Sequence, residues 1–212
     1  MDGNESLIRA FVENSNKSDS HAALFEAVKR NPEVTDAESP SAAFLNFSNG
    51  DREKAASMLV RYWIKRKQLF GELAFQPLDA SVISDAPLLE GTDWIQVQTH
   101  SSGATATPEK PCVVHIDQTK LLSHNSPQLL RKLLFYHLAP TKLSAAIKKK
   151  TVHKIAIILS LPEEYTCPGE GQHIVDIIWS TVGVLPVKID KLHVLVPHRA
   201  ANKDSLRPIA AL

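Results

Sequence analysis

The feature that most constrains the fold is a helix that runs almost directly into a strand, between residues 174 and 197. Gly183 and Pro186 end the helix, because glycine is a poor helix former and proline lacks the backbone donor. Residues 192–196 form a short apolar run closed by Pro197, which is typical of a buried strand. The helix itself is predicted from apolar residues at three- and four-residue spacing: Ile174, Ile177, Ile178 and Val182.

The chain upstream of this unit supplies the strands that it joins. Residues 94–98 alternate between apolar and polar side chains, which predicts a strand with one wet face. Residues 112–116 and 155–159 predict two more strands, the second fully buried. Two helices, over 127–138 and 141–150, separate these two strands. Strand-helix-strand units predict an α/β fold with a mostly parallel sheet and right-handed crossover helices.

The first part of the chain predicts only helices, over residues 2–14, 21–30, 37–47 and 52–69. Asp51 is expected to cap the last of them, and Trp63 should be buried, because it shares a face with Ala55 and Leu59. Residues 71–89 contain two prolines and predict a long tether. We therefore expect a helical lead-in over residues 1–80 and an α/β domain over residues 85–212.

Composition excludes several classes of function. A formal net charge of +1 gives no global field to draw the chain to nucleic acid. No apolar run approaches the roughly 20 residues of a membrane span. Cys112 and Cys167 do not form a CxxC pair, and no secretory leader is recognisable. We expect reduced thiols and a cytoplasmic protein, peripheral to membranes at most.

Nothing in the sequence forms a strong catalytic or cofactor motif. Gly169 and Gly171 precede a helix, but Ile174 stands where a dinucleotide-binding turn needs its third glycine. The nine histidines have no recognised metal spacing. Cys167 and His173 could form a nucleophilic pair, but no third group is marked to orient them. We expect no enzyme activity, no metal and no cofactor.

Four lysines form the densest positive cluster of the sequence: Lys148, Lys149, Lys150 and Lys154. Cations at a helix C-terminus interact favourably with the helix dipole, which is one explanation of the cluster. The other is contact with the head groups of an anionic membrane, where each lysine contributes about 1 kcal/mol.

Two stretches together resemble the CRAL-TRIO lipid-binding family. The first comprises residues 44–45 (Phe-Leu), 49–55 (Asn-Gly-Asp-Arg-Glu-Lys-Ala) and 59–63 (Leu-Val-Arg-Tyr-Trp). It is similar to the family's helical lead-in. The second comprises residues 110–114 (Lys-Pro-Cys-Val-Val), 155–159 and 174–197, and is similar to the family's lipid domain. The resemblance covers residues 37–197, and the order of its motifs is more specific than any one of them.

The sequence departs from the family pattern at several places. Glu109 replaces a glycine, Ser160 an aspartate, Leu185 an aromatic residue and Leu195 an asparagine. The family continues into a mobile gate helix that closes over the lipid, whereas residues 198–212 are too few to form one. The resemblance therefore predicts a lipid-binding domain that is incomplete at its C-terminus.

The resemblance implies non-catalytic binding or transfer of a lipid, such as a phospholipid or phosphoinositide, between membranes. The candidate floor of the lipid pocket consists of Val114, Ile116, Ile157, Leu159 and Leu195, although any single one of them is more often plain core. The alternative is a protein-interaction or regulatory module on a scaffold that has lost its pocket. Without a gate, we expect the floor to be covered by residues 71–89, by self-association or by a protein partner, or else the chain to be a fragment.

Overall fold

The computed structural model describes residues 21–79, 82, 95–98, 112–117, 127–147, 154–161 and 168–195. The helices are α1 (Ala22–Arg30), α2 (Pro32–Glu38), α3 (Ser41–Phe47), α4 (Arg52–Phe70), α5 (Pro127–Leu138), α6 (Pro140–Ile147) and α7 (Pro168–Val182), with a 3-10 helix at Gly71–Phe75. The strands are β1 (Ile95–Gln98), β2 (Cys112–Asp117), β3 (Lys154–Ser160) and β4 (Lys188–Leu195).

The described strands form one mostly parallel sheet in the order β1-β2-β3-β4. β1 is antiparallel to β2, and β2, β3 and β4 are mutually parallel. Val114 pairs with Ile157, which pairs with Leu192. The pairing of β3 with β4 shifts register between Ile155 and Ala156 of β3. Asp190 of β4 therefore has no partner in β3 and forms a bulge. The expected mixed α/β fold is confirmed.

The described crossover helices lie on one face of this sheet. Each step from β2 to β3 to β4 goes in the same direction, and right-handed crossovers then place their helices on the same side. In agreement, α5 and α7 pack against each other. The strand residues that face these helices belong to one continuous apolar core, which also includes α1, α3 and α4.

The helical lead-in docks on the α/β part through aromatic side chains. The Phe135 ring of α5 lies 5.0 Å from the Tyr62 ring and 5.9 Å from the Phe70 ring, both of α4, measured between centroids. Trp63 stacks on Phe75 at 6.4 Å. Tyr62 and Trp63 have no exposed surface, as the sequence predicts for Trp63.

A buried ion pair fixes the lead-in in place. Arg66 is fully buried, and its Nη1 lies 3.3 Å from Glu38 Oε2. Its other nitrogens donate to the carbonyls of Ala74 (2.7 Å) and Gln76 (2.6 Å), which holds the 3-10 segment against α4. Every polar atom of a buried guanidinium needs a hydrogen-bond partner. These contacts therefore restrict how α2, α4 and the 3-10 segment can be placed relative to one another.

Glu38 extends the same network to the other half of the chain. Its Oε1 accepts a hydrogen bond from the backbone of Leu78 at 2.7 Å. Its Oε2 accepts one from Thr141 Oγ1 of α6 at 3.2 Å. The network therefore joins α2, α4, the segment after the 3-10 helix and α6.

Several predicted boundaries are confirmed and others are wrong. Asp51 caps α4 by accepting a hydrogen bond from the Lys54 N–H at 3.0 Å, as expected. The single helix predicted over 37–47 is two helices, because Pro40 has no N–H with which to continue α2. The loop predicted over 162–172 contains the start of α7 at Pro168, which suits the first helical position.

The last strand starts earlier than predicted, at Lys188 rather than residue 192. Residues 188–191 are mostly charged, so hydrophobic pattern alone does not reveal them as strand. The expected helix over 2–14 and the C-terminal tail lie outside the described residues. None of the described helices has the length and apolarity needed to cross a membrane.

The segment proposed to cover the sheet, residues 71–89, packs elsewhere in its described part. Residues 71–75 form the 3-10 helix against α4, and Leu78 and Val82 join the apolar core. Residues 71–79 therefore stabilise the lead-in and are not the cover that the sequence suggests.

The buried position of Trp63 predicts a large loss of stability on truncation. Trp63→Ala removes a fully buried ring. It also removes the hydrogen bond that the indole Nε1–H of Trp63 donates to Ser39 Oγ at 3.0 Å. We expect the free energy of unfolding in urea to fall by about 3–5 kcal/mol. Trp179→Ala is the matched control, because Trp179 is 45% exposed. Equal losses in the two variants would contradict the packing described here.

Tyr62 predicts how stability depends on alkaline pH. Burial raises the pKa of Tyr62 to about 12, whereas tyrosine in an unfolded chain ionises near pH 10. Below about pH 10 both states keep the proton and the full stability is present. As the pH rises from about 10 towards about 12, the tyrosine proton is lost in the unfolded state only. This difference lowers the free energy of unfolding by about 2–3 kcal/mol.

The measurement is urea unfolding as a function of pH, compared with Tyr62→Phe. The variant loses the hydrogen bond to the Glu38 carbonyl (3.2 Å) and starts less stable. Its stability should nevertheless decline less steeply above pH 10 than that of the original chain. Parallel pH profiles would mean that Tyr62 ionises freely in the folded state.

Candidate functional site: the open face of the sheet

The two faces of the sheet differ in what covers them. Side chains alternate between faces along each strand, and in β2 and β3 one set is buried. Of the predicted floor residues, four lie on this helix-covered face and are at most 1% exposed: Val114, Ile116, Ile157 and Leu159. They are part of the apolar core under the helices. Leu195 points the other way and is 53% exposed.

The opposite face, called the open face here, carries an apolar stripe that runs diagonally across three strands. The stripe consists of Val113, Ala156, Ile158 and Leu195. Val113 is the register partner of Ala156, Ile158 follows on β3, and Leu195 pairs with the next outward residue of β3, Ser160. None of the four belongs to the core cluster of the described residues. The stripe is therefore apolar and separate from that cluster, but its exposure is uneven: Ala156 is buried, Val113 and Ile158 are half-buried, and Leu195 is exposed.

The dimensions of the stripe suit an extended chain. It spans two strand spacings of about 4.8 Å and four residues of about 3.3 Å each along the strands. Its length is thus about 16 Å, and its width is a single side chain. A linear apolar ligand would match this shape better than a broad one.

One flank of the stripe carries a hydrogen-bonded polar pair. His115 Nε2 lies 2.8 Å from Ser160 Oγ, and both side chains are half-buried. Asp117 follows His115 on the same face of β2. Ser160 stands where the family resemblance leads us to expect aspartate, so this flank is less acidic than the family pattern. The pair supplies hydrogen-bonding groups beside the stripe.

The other side of the stripe is cationic. Lys154 pairs with Lys188, and Ala156 pairs with Lys191, which places three lysines on the open face near the start of β3 and β4. We call Lys154, Lys188 and Lys191 the lysine corner; all three are exposed. Like charges directly opposite each other in a sheet are destabilising. Among the described residues, no carboxylate forms an ion pair with any of the three.

Sequence reasoning found only Lys154 of this corner. Lys188 and Lys191 resemble a basic linker, because the strand signal of this segment starts at residue 192. What brings them to Lys154 is the parallel register of β3 and β4, which joins residues more than thirty positions apart. A charged, alternating continuation before an apolar strand is the only signal that could have revealed them.

The remaining predicted site residues do not form a site in the described part of the chain. Four of them lie outside it, so the predicted lysine cluster and cysteine pair stay predictions: Lys148, Lys149, Lys150 and Cys167. His173 is exposed on α7. The described residues contain no group of three histidine, cysteine or acidic side chains that could hold a metal.

Comparison with protein-family models finds no family that matches this chain, and no curated protein matches it.

Cys112, at the start of β2, provides a test of how firmly β1 and β2 pair. Burial raises the pKa of its thiol to about 11, and Sγ lies 3.6 Å from the Gln98 carbonyl. Only the thiolate reacts rapidly with alkylating reagents. In a Cys167→Ser variant, which has no other cysteine, we expect negligible iodoacetamide labelling at neutral pH and rapid labelling in urea. Fast labelling of the native variant would show that the β1–β2 edge opens.

Proposed function

We propose that this chain binds a hydrophobic lipid without catalysis, on the open face of its sheet, and transfers it between membranes. The observation that carries the proposal is the apolar stripe of Val113, Ala156, Ile158 and Leu195, which lies outside the main core cluster and beside polar groups, with Leu195 as its exposed end. An aliphatic chain laid along the stripe would remove apolar surface from water on both partners.

The energetics favour a long chain. Complete burial stabilises by about 0.8 kcal/mol per methylene. A ligand resting on a sheet buries only one side, so it gains a fraction of that value for each methylene. Many methylenes, or a second surface over the ligand, are needed for tight binding. A chain that spans the whole stripe meets the first requirement.

The shape of the surface favours a lipid over a protein partner. Stable protein interfaces bury roughly 800 Å² on each partner and have a broad apolar centre. The stripe is one side chain wide, with polar groups on both sides. A protein-interaction module is therefore the weaker alternative, although it would use the same face.

The order of elements from β2 to β4 also supports the proposal. It is the strand-helix-strand-helix-strand order that the CRAL-TRIO resemblance implies, so we propose that the chain is a divergent member of that family. Lys154, together with the predicted cluster at Lys148, Lys149 and Lys150, would contact the anionic surface of the donor or acceptor membrane.

Two exposed leucines allow a matched test. Leu195 is 53% exposed on the stripe, and Leu73 is 38% exposed on the 3-10 helix far from it in sequence. Because both are exposed, neither Leu195→Asp nor Leu73→Asp should unfold the protein. We expect Leu195→Asp to reduce the lipid recovered by organic extraction and mass spectrometry, and Leu73→Asp to leave it unchanged.

The same three proteins should then be stripped and given a fluorescent phospholipid in donor vesicles. The original chain and Leu73→Asp should accelerate its transfer to acceptor vesicles, and Leu195→Asp should do so less. If the original chain neither retains nor transfers lipid, the proposed function is wrong. Copurification of a protein in place of lipid would favour the interaction module.

A further inference from the structure

We propose that the lipid has an anionic head group, a carboxylate or a phosphate, that lies on the lysine corner of Lys154, Lys188 and Lys191. The inference rests on the proposed function and adds the chemical class of the ligand. It follows from the placement of positive charge at one end of an apolar surface.

The lysine corner concentrates charge that the described protein does not balance. Lys154 and Lys188 are directly opposite each other on neighbouring strands, and Lys191, which pairs with Ala156, is the next residue of β4 on the same face. Neighbouring strands are about 4.8 Å apart, and lysine side chains are long enough to converge on one anion from such positions. Asp190 lies between the two β4 lysines, but it forms no ion pair with either of them. A bound anion would offset their mutual repulsion.

The opposite flank sets the orientation of the ligand. Asp117 lies on the open face at the carboxyl end of β2, beside Ser160 and next to His115 along the strand. At that end the described strand residues of the open face include no lysine or arginine, whereas at the lysine corner a negative head group meets three cations. Ala156 is the register partner of Lys191. The head group therefore lies at the amino ends of β3 and β4, and the chain runs over Ala156 and Ile158 towards Leu195.

A neutral lipid fits this surface less well. An alcohol or sterol head group carries no charge, so it would not offset the repulsion among the three lysines. It could form hydrogen bonds with the His115–Ser160 pair without contacting the lysines. The lysine corner should therefore discriminate between anionic and neutral ligands, and binding experiments can measure this difference in affinity. An anionic ligand should bind more tightly than a neutral one of the same chain length.

The experiment compares three ligands of one chain length: a fatty acid, an alkyl phosphate and the fatty alcohol. Their affinities for the full chain are measured by displacement of a neutral fluorescent lipid. We expect the acid and the phosphate to bind about tenfold more tightly than the alcohol, a preference that decreases as salt screens the charges.

The decisive variant is Lys154→Gln/Lys188→Gln/Lys191→Gln. It should lose the preference for the anionic ligands and keep the affinity for the alcohol, since the stripe is intact. The control variant Lys29→Gln/Arg52→Gln/Lys54→Gln removes the same charge from exposed positions on α1 and α4, and should keep the preference. Comparing the acid with the phosphate shows which head group the corner favours.

Three results would overturn the inference. They are equal affinity of the original chain for all three ligands, an unchanged preference in the lysine-corner variant, and a lysine-corner effect limited to sedimentation with phosphatidylserine vesicles. The last would identify the corner as a membrane contact only. In each case binding of the alcohol would leave the proposed function standing, whereas failure of all three ligands to bind would reject the function itself.

Discussion

The connectivity of three parallel strands determines which face of the sheet is covered by the described helices. β2, β3 and β4 follow one another in the chain and in the sheet, and right-handed crossovers then stack the intervening helices on a single face. That face becomes the core. The other face receives whatever polar or apolar side chains the same strands carry outward, without a described helix over them. A face that no described helix covers therefore follows from the topology, before any individual residue is considered.

The lead-in depends on a different interaction, the buried pair of Arg66 and Glu38. Removing either partner would leave an uncompensated charge in the core, which typically costs 3–5 kcal/mol. The pair orients four segments at once, because Arg66 holds the residues after α4 and Glu38 contacts Leu78 and Thr141. The described part of the lead-in thus supports the helical layer through α5 and α6. Among the described residues, the helical layer and the proposed binding surface are on opposite faces of the sheet.

The sequence predicted the fold more fully than the site. Helical spacing and the apolar strands gave the α/β class, and Trp63 was identified as core from its neighbours on one helix face. The sequence does not show which alternate residues of each strand face the helices. Val113 and Val114 are equally apolar, and only the packing of α5 and α7 decides which of the two faces outward. For that reason four of the five predicted floor residues are core, and Val113, Ala156 and Ile158 were missed. Lys188 joined Lys154 only through register, which a single sequence does not encode locally.

The most direct test of the open face as the ligand surface is nuclear magnetic resonance of methyl-labelled protein during titration with a fatty acid. Val113 and Val114 are adjacent in β2, and Ile157 and Ile158 are adjacent in β3, so each pair reports on the two faces from the same strand. The account predicts large, saturable shifts for the methyls of Val113 and Ile158, with much smaller ones for Val114 and Ile157. Shifts confined to Val114 and Ile157, or to the helices, would contradict it.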